Sequence, residues 1–303
     1  MKYAHILMAF ASELWAMQPE KLAAITEFLT TQADGVKFSA EEIEAKIAPQ
    51  TAKAVARKEG DVAIVPIRGI ISNRVEMMGN ISGGGGTSVE AFARNLRMAA
   101  DDEGVKTVIL DVDSPGGTVS GVDEAAGLIH SYRGRKPIIA QVNATAASAA
   151  YWLASAADEI VVTPSGQVGS IGVYTMHNDI SASLEKLGIR KSLISAGPFK
   201  IEGNPFGPLS EEALAYVQAQ VDAVYEMFID RVAMGRGVAS ADVRGGFGQG
   251  RMVMAKQAVS GKMADRVGTL EDTLARFGVA QRQPEQAGRR AFAGEREKRA
   301  LTL

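Results

Sequence analysis

Between residues 107 and 195, apolar runs of strand length alternate with helical stretches, and this alternation restricts the fold more than any other feature. Residues 107–112, 137–142 and 159–163 are short runs rich in aliphatic residues, read as strands, the first two buried. Residues 120–132, the small-residue stretch 146–157 and residues 179–187 read as helices between them, and residues 190–195 as one more strand. Strands separated by helices pair in parallel, with the helices packed on the sheet. The expected class is therefore α/β.

The flanks differ from this centre. Residues 1–58 carry two amphipathic helical stretches and no strand pattern; Ile6, Leu7, Phe10 and Leu14 fall at helical spacing. Residues 61–71 are β-branched and read as a strand pair or a bent strand, and Gly83–Gly86 is a glycine-run loop. Ser88 can cap a helix to about Ala100, and a long amphipathic helix is expected over 210–234. A short helix is expected near Ala255. The divisions expected are a helical extension over 1–58, one catalytic-type domain over 59–278 and a polar tail over 279–303.

Composition removes several classes of function. The net charge of -2 gives no global pull toward nucleic acid or anionic membranes. Without cysteine, disulfides, thiolate catalysis and cysteine-rich zinc sites are excluded. No run approaches the roughly 20 apolar residues that span a bilayer. The expected place is the cytoplasm, with no metal and no cofactor.

Two turns carry candidate chemistry. Asp113-Ser-Pro-Gly-Gly117 follows a buried strand, and glycines there let a substrate backbone approach while freeing N–H groups. Asn143-Ala-Thr-Ala-Ala-Ser148 follows the next one, so Ser148 falls near a helix start, where backbone donors favour an oxyanion. Each also reads as ordinary packing. A serine nucleophile needs a base. Of three histidines, His5 lies in the N-terminal extension, His130 ends a helix, and His177 is the one histidine candidate. A lysine serves equally when burial favours its neutral form. Lys200, between Phe199 and Ile201 in a Gly/Pro-rich loop, is unlike the other, polar-flanked lysines.

Together these pieces resemble the signal peptide peptidase A (protease IV) family of serine peptidases. The resemblance covers about residues 60–275. It rests on Val62-Ala-Ile-Val-Pro-Ile-Arg-Gly-Ile-Ile71, Asp113-Ser-Pro-Gly-Gly117, Ala147-Ser-Ala-Ala-Tyr151, Val168-Gly-Ser-Ile-Gly-Val173 and Lys200, in that order. It implies a ClpP/crotonase-type fold of repeated β-β-α units, Ser148 as nucleophile, Lys200 as base and Ser170 as the hydroxyl that holds the lysine amine. Gly117, with Gly116 beside it, and the Ser148 N–H are implied for oxyanion binding. Where many members have glycine after the nucleophile, this chain has Ala149.

The resemblance also implies a protein or peptide substrate and ring-like homo-oligomers, with Lys200 within or across subunits. The loop around Lys200 and the N-terminal helical stretches look closest to capsid assembly proteases of tailed phages, the lambda protein C type, which cleave scaffold and other head proteins. Self-cleavage near residues 53–60 or after 278 is a further expectation. Rival readings are a signal-peptide-degrading peptidase, a crotonase-like coenzyme A thioester enzyme built on Glu124, and a non-catalytic scaffold protein.

Overall fold

The computed structural model describes residues 13–33, 56–73 and 86–279. In chain order the elements are β1 (Trp15–Met17), α1 (Pro19–Ala33), β2 (Arg57–Glu59), β3 (Val62–Arg68), β4 (Ile71–Ser72), β5 (Thr87–Ser88) and α2 (Val89–Asp101). Then come β6 (Thr107–Ser114), β7 (Gly116–Thr118), α3 (Val122–Ser131), β8 (Ile138–Ala147), α4 (Ala149–Ser155), β9 (Glu159–Val162), β10 (Gln167–Gly169) and α5 (Ser181–Lys186). The chain continues with α6 (Glu211–Arg236), α7 (Ser240–Gly246), β11 (Met252–Met254), α8 (Ala255–Ser260), β12 (Arg266–Val267) and α9 (Leu270–Arg276).

The α/β class expected from the alternation is what the chain forms. In the larger sheet β3, β6, β8 and β10 run parallel, and β2 and β11 close the edges antiparallel. The first half of β8 also pairs with β9, and β12 lies beyond β9. A smaller sheet has the order β1-β7-β4-β5, with β7, β4 and β5 parallel and β1 antiparallel. β3-β4, followed by β5 and α2, and β6-β7-α3 are successive β-β-α units: each long strand bends into a short one that joins the second sheet before a helix returns.

The physical causes lie in side-chain size and capping. β6 and the first half of β8 are buried on both faces, which their aliphatic content requires. Helix α2 starts where Ser88 Oγ accepts from the Ala91 N–H at 3.3 Å, and it buries Val89, Phe92, Leu96 and Ala100, one stripe at helical spacing. Ser210 Oγ caps α6 by accepting from the Ala213 N–H at 3.1 Å, and Gly237 ends it in the left-handed region. The last third of α6 reaches the core. Phe228 stacks on Trp152 at 4.3 Å between ring centroids, and Gly235 packs so closely that a Cβ would lie 2.0 Å from the Ser155 carbonyl oxygen.

Three expectations need correction or placing. The region 1–58 contains strands: β1 pairs with β7, and β2 with β3. Three residues carry too little pattern to reveal β1 before its partner is known. Residues 190–195 form no strand. Their backbone makes no hydrogen bond among the described residues, and they are exposed throughout. β-propensity gives an extended chain, but a strand needs a neighbour. The helical reading of residues 6–12, most of the glycine run and the tail beyond 279 lie outside the described residues. Among the described residues, no helix is long and apolar enough to cross a membrane.

Candidate active site

β8 ends at Ala147 and α4 begins at Ala149, so Ser148 alone turns the chain from strand to helix. It does so at φ 55° and ψ -117°. A non-glycine residue held there costs on the order of 1–3 kcal/mol, and such strain persists where the surroundings over-determine it. Strained strand-to-helix turns are where α/β hydrolases present a serine. The Ser148 hydroxyl lies 3.4 Å from the Gly172 carbonyl, and the residue is fully buried in the isolated chain.

Ser170 stands at the same level. β10 pairs with β8 so that Gly169 faces Ala147, and the next residue on each strand is a serine with positive φ. Ser170 has φ 53° and is 6% exposed; its N–H donates to the Arg251 carbonyl at 3.0 Å. Adjacent parallel strands thus deliver two hydroxyl-bearing residues to one end of the sheet, the carboxyl end, where open α/β sheets place their sites.

The diglycine reaches this point from the other sheet. Gly116 has φ 97°, and a Cβ on it would sit 3.0 Å from the Ala147 carbonyl oxygen and 2.2 Å from that of Ala16. Gly117 runs beside β4, where a Cβ would be 1.7 Å from the Ile71 carbonyl oxygen. Both positions therefore require glycine for close backbone approach. Gly117→Ala is expected to cost roughly 3 kcal/mol by forcing β4 and β7 apart, at the upper end of overpacking effects. Urea denaturation of the variant checks it, and an unchanged midpoint would mean that the strands can separate freely.

The Ser148 N–H, expected for oxyanion binding, is engaged within the sheet. The Ser148 N–H donates to the Gly169 carbonyl at 2.7 Å, so it is taken. The strand pairing of β10 on β8 claims it. The following N–H, of Ala149, is the first in α4 and has no acceptor within its own helix.

Lys200 does not join this group. It is exposed, in a turn closed by its own N–H to the Gly197 carbonyl at 3.3 Å. No hydrogen bond or ion pair links it to Ser148 or Ser170 among the described residues. The expectation that Phe199 and Ile201 bury it is corrected: Phe199 is 58% exposed and Ile201 37%. Among the described residues, these apolar side chains are left largely uncovered. His177 is turned elsewhere, its Nε2 3.0 Å from the Gly207 carbonyl. Glu124, the carboxylate a thioester enzyme would need, is exposed on α3.

Sequence reasoning missed the support behind the turns. Asp111, buried in β6, receives Arg68 and Asn143, and Thr163 Oγ1 donates to the Asn143 carbonyl at 2.7 Å. A carboxylate inside an aliphatic run was the available signal, since such a group stays buried only when paired. Ser114 Oγ donates to the Gly69 carbonyl at 2.6 Å and accepts from the Gly116 N–H at 3.1 Å, fixing the diglycine. Burial raises the Asp113 carboxyl above its ordinary range against the pull of Arg68. No group of three or more metal-ligating side chains occurs among the described residues.

A serine on a strained turn, a hydroxyl beside it and a diglycine strand facing it make up the kind of site that serine hydrolases build on α/β cores. The chain belongs to peptidase family S49, whose pattern matches residues 130–282. It is 36% identical over 191 residues to the head-tail preconnector protein GP5 of Enterobacteria phage P21, covering 63% of this chain and 38% of that protein. It is 33% identical over 218 residues to the capsid assembly protease C of Escherichia phage lambda, covering 70% and 49%. Protease 4 of Haemophilus influenzae is 29% identical over 218 residues, covering 70% and 34%. The chain thus matches about half or less of the length of these relatives. A solved ClpP1 variant from Listeria monocytogenes is 13% identical with a TM-score of 0.44, covering 70% of this chain and 94% of that one.

Proposed function

We propose that the chain is a serine endopeptidase with Ser148 as nucleophile and Lys200 as general base, the lysine coming from a second copy. The observation that carries the reading is the strained Ser148 turn with Ser170 at its level and the diglycine against it. Neutral Lys200 takes the Ser148 proton while the oxygen attacks the scissile carbonyl. The developing oxyanion is held by the N–H groups of Gly117 and Ala149. Lys200 then passes the proton to the leaving amine, and water hydrolyses the acyl-enzyme. Ser170 accepts from the lysine amine and orients it.

The setting of Lys200 supports supply by a second copy. Within one chain Lys200 is exposed, and its apolar neighbour Phe199 is largely uncovered. The first half of α6 is likewise uncovered, with Leu214 and Tyr216 outward. A second copy over this arm would bury the apolar side chains and take the amine out of water. Continuous apolar exposure of this kind marks an interaction surface.

The relatives in phages P21 and lambda favour head maturation as the role, with scaffold or other head proteins as substrates. The similarity to protease 4 supports a general signal-peptide-degrading role as the second reading. Incubating the protein with head proteins encoded beside it, and separately with casein, distinguishes them by gel and intact mass. Cleavage confined to head proteins is the expected result; equal cutting of casein would favour the general peptidase.

A further inference from the structure

Strand β1 lies where the site would need its substrate. Its residues run antiparallel along β7, with Trp15 opposite Thr118, Ala16 opposite Gly117 and Met17 opposite Gly116. The Gln18 N–H donates to the Pro115 carbonyl at 2.9 Å, and the Val119 N–H donates to the Leu14 carbonyl at 3.3 Å. In an antiparallel ladder the bonded pairs alternate, so these two set the phase: the Ala16 carbonyl faces the Gly117 N–H. On its other side the segment pairs with Tyr174. The Trp15 N–H donates to the Tyr174 carbonyl at 2.9 Å, and the Tyr174 N–H to the Trp15 carbonyl at 3.1 Å.

The segment is therefore a strand held from both sides, in a slot between residues 115–119 and Tyr174. The slot ends at Ser148: Gly172, two residues before Tyr174, accepts the Ser148 hydroxyl, and a Cβ on Gly116 would sit 2.2 Å from the Ala16 carbonyl oxygen and 3.0 Å from that of Ala147. Lift the segment out, and β7 becomes an open edge with a free Gly117 N–H beside Ser148. That is a site for a peptide to add as a strand, with main-chain bonds giving affinity and side-chain room giving selectivity. Trp15, Ala16 and Met17 are all buried, so the slot is filled. The arrangement has a cost: the Tyr174 hydroxyl is buried without a partner among the described residues. An unpaired buried hydroxyl favours states in which it regains one.

We propose that residues 14–18 are held as a substrate mimic in the peptide slot, so that an incoming substrate must displace them. The slot takes its substrate as an antiparallel strand with a small side chain at the position of Ala16. This rests on the reading of Gly117 as the oxyanion-side ledge. The peptide that would bind is an extended, mainly apolar one, since the occupant is Leu-Trp-Ala-Met-Gln and its central alanine is fully buried.

The test uses the full chain carrying Ser148→Ala, so that nothing is cleaved. Binding of a fluorescent Leu-Trp-Ala-Met-Gln peptide is read by anisotropy. It is compared with the same protein carrying, in addition, Trp15→Gly or Ala16→Pro. The glycine removes the buried anchor, and the proline removes a ladder N–H. If the closed state dominates, displacing it raises apparent affinity by the inverse of the open fraction, an increase of roughly ten-fold or more. A peptide with phenylalanine in place of its central alanine should bind at least about ten-fold more weakly to the opened variants, as a pocket that excludes the larger group predicts. Unchanged or weaker binding in both variants, with thermal unfolding showing each folded, overturns the proposal. No turnover is involved, so absence of cleavage by the unsubstituted enzyme would count against the Ser–Lys mechanism instead.

Discussion

Replacing Ser148 by alanine is expected to lower kcat/KM for peptide cleavage by about 10⁴-fold or more, the usual loss when a nucleophile is removed. Stability should hardly move. The hydroxyl makes one long contact, 3.4 Å to the Gly172 carbonyl, whose loss is worth well under ~1 kcal/mol. Ser148→Gly should be as inactive yet more stable, by roughly 1 kcal/mol, because glycine adopts positive φ without steric cost. The pair of variants separates chemistry from architecture: both lose activity, and only the glycine gains stability at the turn. Retained cleavage in either, with thermal melts showing folded protein, would remove Ser148 from the mechanism.

Mixing gives the second large effect. Ser148→Ala and Lys200→Ala are each expected to be inactive. Co-expressed in equal amounts, they should recover about a quarter of wild-type activity if subunits assort at random and each site joins two copies. One site in the mixed assembly then pairs an intact serine with an intact lysine from its neighbour. If serine and lysine acted within one chain, no mixture could restore a site, and the recovered activity would be nil. The exposed position of Lys200, and of Phe199 and Ile194 around it, is the reason to expect recovery. Size-exclusion chromatography of the mixture checks that the two variants share assemblies.

Much of the core was legible in the sequence because burial on both faces leaves short runs dominated by aliphatic residues. β3, β6, β8 and β9 were found that way, and Ser88 and Ser210 marked the helix starts. The small-residue helix was placed too early. Ala146 and Ala147 belong to β8, because alanine is equally at home in a buried strand end and a helix, and only pairing with β10 decides. Burial of Lys200 was inferred from its apolar neighbours. Neighbours in sequence give no partner in space, and among the described residues Lys200 is exposed.

The sequence by itself determined the α/β order, the diglycine turn after β6, and the serine that follows β8. These are local properties: run length, side-chain size and the φ a position must adopt. Tertiary structure alone decided which groups meet. Pairing of β10 on β8 consumed the Ser148 N–H and set Ser170 level with Ser148. Pairing of β7 brought residues 14–18 from about a hundred positions away onto the diglycine. Hydrogen-bond pairing between distant strands depends on the register of whole elements, and a three-residue strand such as β1 leaves no periodic trace from which that register can be read.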